Sequence, residues 1–204
     1  MRLGILGGSF NPIHIGHLLI GCAAAEAFQL DRVMLMPCAV SPFKVGASDL
    51  ASGADRLEMV RRSIAGDPLF DVSDLELARG GVSYAVETVR ALHDRYPEAQ
   101  LFFIIGGDSL RELSRWHKVN EMLTLCDVIT VQRPGVTLEL DEALAPFPET
   151  VRDRLRQHTI HGRTCEVSSS EIRRRIAEGR SIRYLVCLEV EAYIRERGLY
   201  AVGT

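Results

Sequence analysis

Few cysteines, few aromatics and no long apolar run mark this 204-residue sequence. The five cysteines, Cys22, Cys38, Cys126, Cys165 and Cys187, are odd in number and far apart. No C-x-x-C pair occurs, which argues against a zinc ribbon or a dithiol redox motif. Free thiols suit a reducing compartment. No apolar run nears the roughly 20 residues of a membrane span. Leu3 to Leu6 is too short for the core of a secretion signal, and Asn11, Pro12 and His14 follow at once. The expectation is a cytoplasmic protein with no membrane partner. Charge of one sign is scarce too: 24 Lys and Arg face 27 Asp and Glu, a formal net charge of −3. No nucleic-acid partner is expected, and any nucleotide it binds must be caught by a local positive site rather than a global field.

What is present reads as ordinary globular protein. Hydrophobic residues make up 47% of the chain, which excludes a disordered chain. A chain of this length buries about 70% of its extended surface and needs no staple. At about 150 residues per domain, one domain over 1–204 is expected, with 170–204 a helical part packed on it.

Four short apolar runs, Leu3–Leu6, Val33–Met36, Leu101–Ile105 and Val128–Val131, lack polar alternation. Strands buried on both faces read this way and belong to parallel sheets. Helical stretches separate or follow them: His17–Phe28, apolar nearly all round as an interior helix should be, then Asp55–Ile64, Tyr84–Tyr96, Glu149–Gln157, Ser170–Glu178 and Leu185–Arg197. Gly179 and Gly198 read as their stops. The alternation predicts an α/β fold, a doubly wound, Rossmann-like parallel sheet with helices on both faces. The loop from Cys38 to Ala54 is long enough to be a functional lid.

The first strand runs into Gly7-Gly8-Ser9-Phe10-Asn11-Pro12-Ile13-His14-Ile15-Gly16-His17. Adjacent glycines let backbone approach a phosphate. A helix starting near Gly16 presents N–H groups and a positive dipole end to an anion. His14 and His17, three residues apart, can face one side of its first turn. G-x-G-x-x-G is absent here, against a classical dehydrogenase, and the Walker A pattern is absent, against a P-loop kinase.

This segment resembles the H-x-G-H signature of the nucleotidyltransferase superfamily. The fuller string is similar to that of the bacterial nicotinate mononucleotide adenylyltransferases. The resemblance continues in order through Ser41-Pro42-Phe43-Lys44, Val82-Ser83-Tyr84-Ala85, Phe103-Ile104-Ile105-Gly106-Gly107-Asp108-Ser109-Leu110, Trp116-His117-Lys118, Arg133-Pro134-Gly135 and Val167-Ser168-Ser169-Ser170-Glu171-Ile172-Arg173. It implies transfer of AMP from ATP to nicotinate mononucleotide in NAD biosynthesis, with Mg²⁺ bound on the ATP phosphates, giving deamido-NAD and pyrophosphate. His14, His17 and Arg173 are then the expected catalytic residues. Gly7, Gly8, Ser9, Phe10, Gly16, His17, Gly106, Asp108, Ser168, Ser169, Ser170 and Arg173 are expected at ATP. Asn11, Lys44, Ser83, Tyr84, Ala85, Trp116, Lys118 and Arg133 are expected at nicotinate mononucleotide, and no all-protein metal site is expected.

Each later motif also has a physical reading of its own. One of the three serines should cap the following helix; the resemblance puts the cap position at Ser170, where the family usually has threonine. Arg173, one turn in, reaches the same phosphates or is simply exposed. Asp108 meets ribose hydroxyls or magnesium waters, or is an ordinary helix cap. Trp116, the single tryptophan, is an exposed stacking plate or a packing residue. Ala85 departs from the family's usual threonine, so a nicotinate carboxylate must be read by backbone N–H groups or Lys118. Lys44 closes over phosphates or is a solvated loop lysine. His158 and His161 form an H-x-x-H pair with no acidic or cysteine cluster beside it. His93 reads as a surface residue. Nicotinamide mononucleotide stays open as the acceptor. Cytidylyltransferases carry a late R-T-x-G-I-S-T type motif that is missing here. Aminoacyl-tRNA synthetases need a K-M-S-K-S loop, also missing. A nucleotide sensor with a decayed site is opposed by intact His14, His17, Ser170 and Arg173.

Overall fold

The computed structural model describes residues 1–43, 51–132, 139–163 and 165–201. The expected apolar runs lie inside strands β1 (Arg2–Gly8), β2 (Arg32–Pro37), β4 (Gln100–Gly106) and β5 (Asp127–Gln132). Two further strands, β3 (Phe70–Val72) and β6 (Thr159–His161), complete a six-stranded sheet of order β3-β2-β1-β4-β5-β6, parallel throughout. Each is three residues long, too short to register as an apolar run, and each lies at an edge, where short strands discourage edge-to-edge association.

Side chains alternate across the sheet. Leu101, Phe103 and Ile105 join one buried cluster, and Phe102 and Ile104 join the other. The first cluster is covered by α4 (Ala85–Arg95), α5 (Gly107–Glu112), α6 (Val119–Leu125), α7 (Leu140–Leu144) and α8 (Glu149–Gln157). The second is covered by α1 (Ile15–Phe28), α2 (Gly53–Ser63), α9 (Ser169–Ala177) and α10 (Leu188–Arg197). A short α3 (Leu75–Arg79) follows β3. Helices on both faces and a wholly parallel sheet make this the doubly wound α/β fold the sequence predicts. Ile172, Ile182, Val190 and Ile194 are part of the buried cluster, so the C-terminal helices pack directly on the sheet layer. No helix among the described residues is long and apolar enough to cross a membrane.

Two expectations need correction, and four short helices lie outside the expected set. Helix α1 is not enclosed: Gly21, Ala24 and Ala25 are buried, but Leu18, Leu19, Ile20 and Cys22 are only half-buried, because the sheet covers one side of it. Helix α10 begins at Leu188, not Leu185, because the Leu185 carbonyl is turned back to accept the Ile15 N–H at 3.1 Å. Helices α3, α5, α6 and α7 span seven residues or fewer, too few turns for a 3.6-residue period to show.

Strand order reverses between β1 and β4, which are neighbours in the sheet. In open α/β sheets a crevice forms there, beyond the carboxyl ends of the strands. Arg2 lies opposite Gln100 and Ile5 opposite Phe103. Continued, this register sets Gly8 level with Gly106, and the two glycine motifs meet at one crevice.

Candidate active site

The turn after β1 is built around Phe10. Its backbone is left-handed (φ 45°) and its ring is fully buried beneath Gly8, where a Cβ would stand 3.3 Å from the ring. A side chain at residue 8 would therefore push on the ring that shapes the turn. The ring also packs edge-on against His17, with centroids 5.0 Å apart. Phe10 thus supports the site from below rather than lining it.

His14 caps α1 with extended backbone (φ −145°), and its N–H donates to His17 Nδ1 at 3.2 Å. The two imidazoles stack with centroids 3.7 Å apart and an angle of 30°. A nitrogen that accepts a hydrogen bond carries no proton, so neutral His17 holds its proton on Nε2, as a donor. The spacing of three residues brings the pair together as expected. A Cβ on Gly16 would meet the His14 ring and Val167, each at 3.1 Å. Glycine here lets the start of α1 approach the chain leading into α9. The Ile15 amide is spent on Leu185, so the anion-facing donors of this turn are fewer than an isolated helix end would offer.

Helix α9 brings its amino end to the same turn. Ser169 Oγ donates to Pro12 O at 2.8 Å, and Arg173 Nη1 donates to Asn11 O at 2.9 Å. The cap is Ser168, whose Oγ accepts the Glu171 N–H at 3.2 Å, and not Ser170. The helix starts one residue earlier than its apolar spacing suggests, because Ile172 must point into the core. Ser170 is exposed in the first turn, its Oγ 3.2 Å from that of Ser168. Asn11 is 2% exposed; its Oδ1 accepts from the Ala51 N–H at 2.9 Å and the Tyr200 hydroxyl at 2.7 Å. It is a staple between the turn, the start of α2 and the C-terminal segment.

Across the crevice, Gly106 caps α5, and a Cβ on it would meet nothing within 4 Å. Asp108 is therefore not the cap. It stands in the first turn with its side chain 73% exposed, 3.9 Å from Arg111. The Phe103 ring tip would lie 3.4 Å from a Cβ on Gly7, and the Phe103 and Trp116 rings meet edge to face, with centroids 5.8 Å apart and an angle of 85°. Phe103 thereby links the glycine turn to Trp116. Trp116 is half-buried rather than exposed, and exposed Phe43 lies 6.5 Å from it. Next to it the His117 ring stacks on Tyr84 at 4.4 Å. Lys118 is exposed at the cap of α6. Tyr84 caps α4, and Ala85 opens it. Ser83 is buried; its N–H donates to Val40 O at 2.9 Å and its Oγ accepts the Ala39 N–H at 3.0 Å. Lys44 and Arg133 lie outside the described residues. His93 is exposed on α4, and among the described residues His158 and His161 belong to no cluster of metal-ligating side chains.

The sequence reading missed Arg56, Glu76, Leu185 and Tyr200. Arg56 looked like one more charge on an amphipathic surface helix. Its place one turn before Val60 was the available signal, since both face inward. Nothing local marks Tyr200, which meets Asn11 from 189 residues away.

Two helix starts converging on a glycine turn, at the switch point of a parallel sheet, define a nucleotide-binding α/β protein suited to polyanions. A family model described as Cytidylyltransferase-like matches residues 5–175. A probable nicotinate-nucleotide adenylyltransferase of Citrifermentans bemidjiense is 47% identical over 213 residues, with 98% of each chain covered. One of the same description from Geotalea daltonii is 42% identical over 219 residues, with 100% of each chain covered. In fold, the chain is similar to Plasmodium falciparum nicotinic acid mononucleotide adenylyltransferase complexed with NaAD. The TM-score is 0.74 over 98% of this chain and 97% of that one, at 17% identity. The chain belongs to the cytidylyltransferase-like family and, within it, with the nicotinate-nucleotide adenylyltransferases.

Proposed function

We infer that the chain transfers the adenylyl group of ATP to nicotinate mononucleotide, releasing pyrophosphate and nicotinate adenine dinucleotide. The observation that carries this reading is the stacked His14–His17 pair at the start of α1, beside the amino end of α9. The acceptor's phosphate oxygen attacks the α-phosphorus of ATP, a new P–O bond forms, and the bond to the bridging oxygen of pyrophosphate breaks. No protein nucleophile is needed. Catalysis rests on alignment and on stabilising charge at the equatorial and leaving oxygens. His17 Nε2–H and the His14 ring serve the transferring phosphate. Arg173, with the first-turn amides of α9 and the hydroxyls of Ser168 and Ser170, holds the pyrophosphoryl group; the Ser169 hydroxyl is given to Pro12 O and serves instead to tie α9 to the glycine turn. Gly7, Gly8, Ser9 and Gly16 contribute backbone approach. Gly106 and Asp108 border the ribose.

Mg²⁺ fits this arrangement as an ion held on the ATP phosphates. Exposed Asp108, in the first turn of α5, would be a carboxylate able to accept from its waters. When bound, the ion neutralises charge on the phosphate oxygens.

For the acceptor, Trp116 and Tyr84 offer the faces that flank a pyridine ring. With alanine at 85 offering no hydroxyl, the nicotinate carboxylate is read by the first-turn amides of α4 and by Lys118. The test is pyrophosphate release from ATP with each mononucleotide in turn. Rapid release with nicotinate mononucleotide, slow release with nicotinamide mononucleotide and arrest by a chelator, reversed by Mg²⁺, are expected. Tight ATP binding without release for any acceptor would instead identify a sensor.

A further inference from the structure

Arg56, on α2, is a buried cation outside the steps just described, only 3% exposed. Its Nη1 donates to Ser9 O and to Cys38 O, each at 2.8 Å, and its Nε donates to Ala51 O at 3.2 Å. Three main-chain carbonyls, and no carboxylate among the described residues, hold the charge. They come from the turn after β1, the segment leaving β2 and the lead into α2.

A turn that seats an anion must aim its N–H groups at the ligand. A trans peptide carries its C=O on the opposite side from its N–H, so the carbonyls of such a turn point into the protein, where each needs a donor. Here the donors come from four elements or their flanks. Gly8 O accepts the Cys38 N–H at 2.9 Å, Ser9 O accepts Arg56, Asn11 O accepts Arg173 Nη1 at 2.9 Å, and Pro12 O accepts Ser169 Oγ at 2.8 Å. The Gly8–Ser9 and Ser9–Phe10 peptides are trans. With Gly8 O turned to β2, the Ser9 N–H faces the other side of β1, where β4 and the switch point lie. With Ser9 O turned to Arg56, the Phe10 N–H faces away from α2. No backbone carbonyl among the described residues takes either N–H.

Ser9 lies beyond the end of β1, so no ladder bond orients its peptide. Arg56 does that work, and it grips the turn by two further routes. Cys38 gives its N–H to Gly8 and its carbonyl to Arg56. Ala51 gives its N–H to Asn11 Oδ1 at 2.9 Å and its carbonyl to Arg56. A buried cation with only carbonyl partners is costly to desolvate. Its attraction for a polyanion seated on the turn above offsets that cost.

We propose that Arg56 is a positioning residue for ATP: it draws the Ser9 carbonyl inward and so turns the Ser9 and Phe10 N–H groups toward the triphosphate. The proposal rests on the reading of this turn as the seat of the ATP phosphates. Arg56 touches no substrate itself, and its effect is confined to the phosphate end of the ligand.

The test is a titration of the wild type and of Arg56→Lys with Mg-ATP, tripolyphosphate and adenosine, followed by backbone amide shifts. In the wild type, tripolyphosphate should move the Ser9 and Phe10 amide protons downfield. Lysine keeps the charge, but one ammonium on a thinner stem cannot replace the fork that spans three carbonyls. In Arg56→Lys the Kd for ATP and for tripolyphosphate should rise about tenfold, as for one lost hydrogen bond to a charged group. The Kd for adenosine, which carries no phosphate, should stay within about twofold, less than the change in one neutral hydrogen bond. A merely structural arginine would weaken adenosine as much as ATP, and that result would overturn the proposal. So would unchanged ATP binding in the folded variant. The wild-type titration decides alone if the variant does not fold: Ser9 and Phe10 amides left unmoved while ATP binds would also overturn it. If the wild type binds neither ATP nor tripolyphosphate, the reading of the turn as the phosphate seat fails, and the role of Arg56 with it.

Discussion

His17 does two jobs with one ring. Its Nδ1 accepts the His14 N–H at the helix cap, and that bond places the proton on Nε2, the donor that the proposed function sets toward phosphate. Removing the ring has two separable costs. Losing the cap acceptor costs about 1 kcal/mol, a figure typical of helix caps, which for a chain of this size lowers Tm by about 2–4 °C. Losing a charge-stabilising donor at the reacting phosphate costs far more in rate, on the order of 10²–10³ in kcat. His17→Ala should therefore fold with native circular dichroism and a slightly lower Tm while kcat collapses. Near-normal kcat in that variant would remove His17 from the chemistry. The local residue pattern made this pair legible from sequence, because three-residue spacing on a helix start is a short-range fact. The same pattern could not say that Phe10 lies beneath the turn or that Asn11 is consumed by Ala51 and Tyr200.

At the scale of elements, the amino end of α9 shows how a one-residue shift changes roles. Ser168 accepts the Glu171 N–H and caps the helix, Ser169 ties it to Pro12, and Ser170 faces solvent. Ser168→Ala should destabilise the protein by about 1 kcal/mol, read from denaturant midpoints at constant slope. Ser170→Ala should leave stability unchanged, since no described backbone group depends on its hydroxyl as a cap. Equal losses for the two variants would contradict this cap assignment. Three consecutive serines give no local means of choosing among them. The choice is made by Ile172, which is wholly buried and fixes the rotation of the helix. The same reasoning explains α10: its apolar pattern extends back to Leu185, but tertiary demand for that carbonyl at Ile15 unwinds the lead-in.

Over the whole molecule, the end of the sheet opposite the site carries its own charge arrangement. His158 follows α8, and its ring packs edge-on to Phe28 of α1 at 5.1 Å and near Phe102 of β4 at 6.3 Å. Burial lowers its pKa; Asp127, whose carboxylate lies 3.8 Å away, opposes the shift, and Arg154 and Arg2 reinforce it. A histidine with a lowered folded-state pKa binds fewer protons folded than unfolded in the interval just below its ordinary value of about 6.5. Stability must therefore fall as pH drops through that interval and level off once both states are protonated. Thermal midpoints measured from neutral pH downward should show this loss, and His158→Gln should reduce it. Identical pH profiles in the two proteins would show that His158 contributes nothing to the dependence.

The sequence by itself determined the four central strands, the α/β alternation and the glycine turn after the first strand. Each depends on apolar runs or residue spacings shorter than a few helical turns, and these act through local sterics and simple burial. Only the tertiary structure decided which serine caps α9, which amide of α1 is already spent, and where Arg56 and Glu76 point. Those outcomes depend on partners from about a dozen to well over a hundred residues away. A buried polar group must find a hydrogen-bond partner wherever the fold supplies one, and the chain's order does not say where that is.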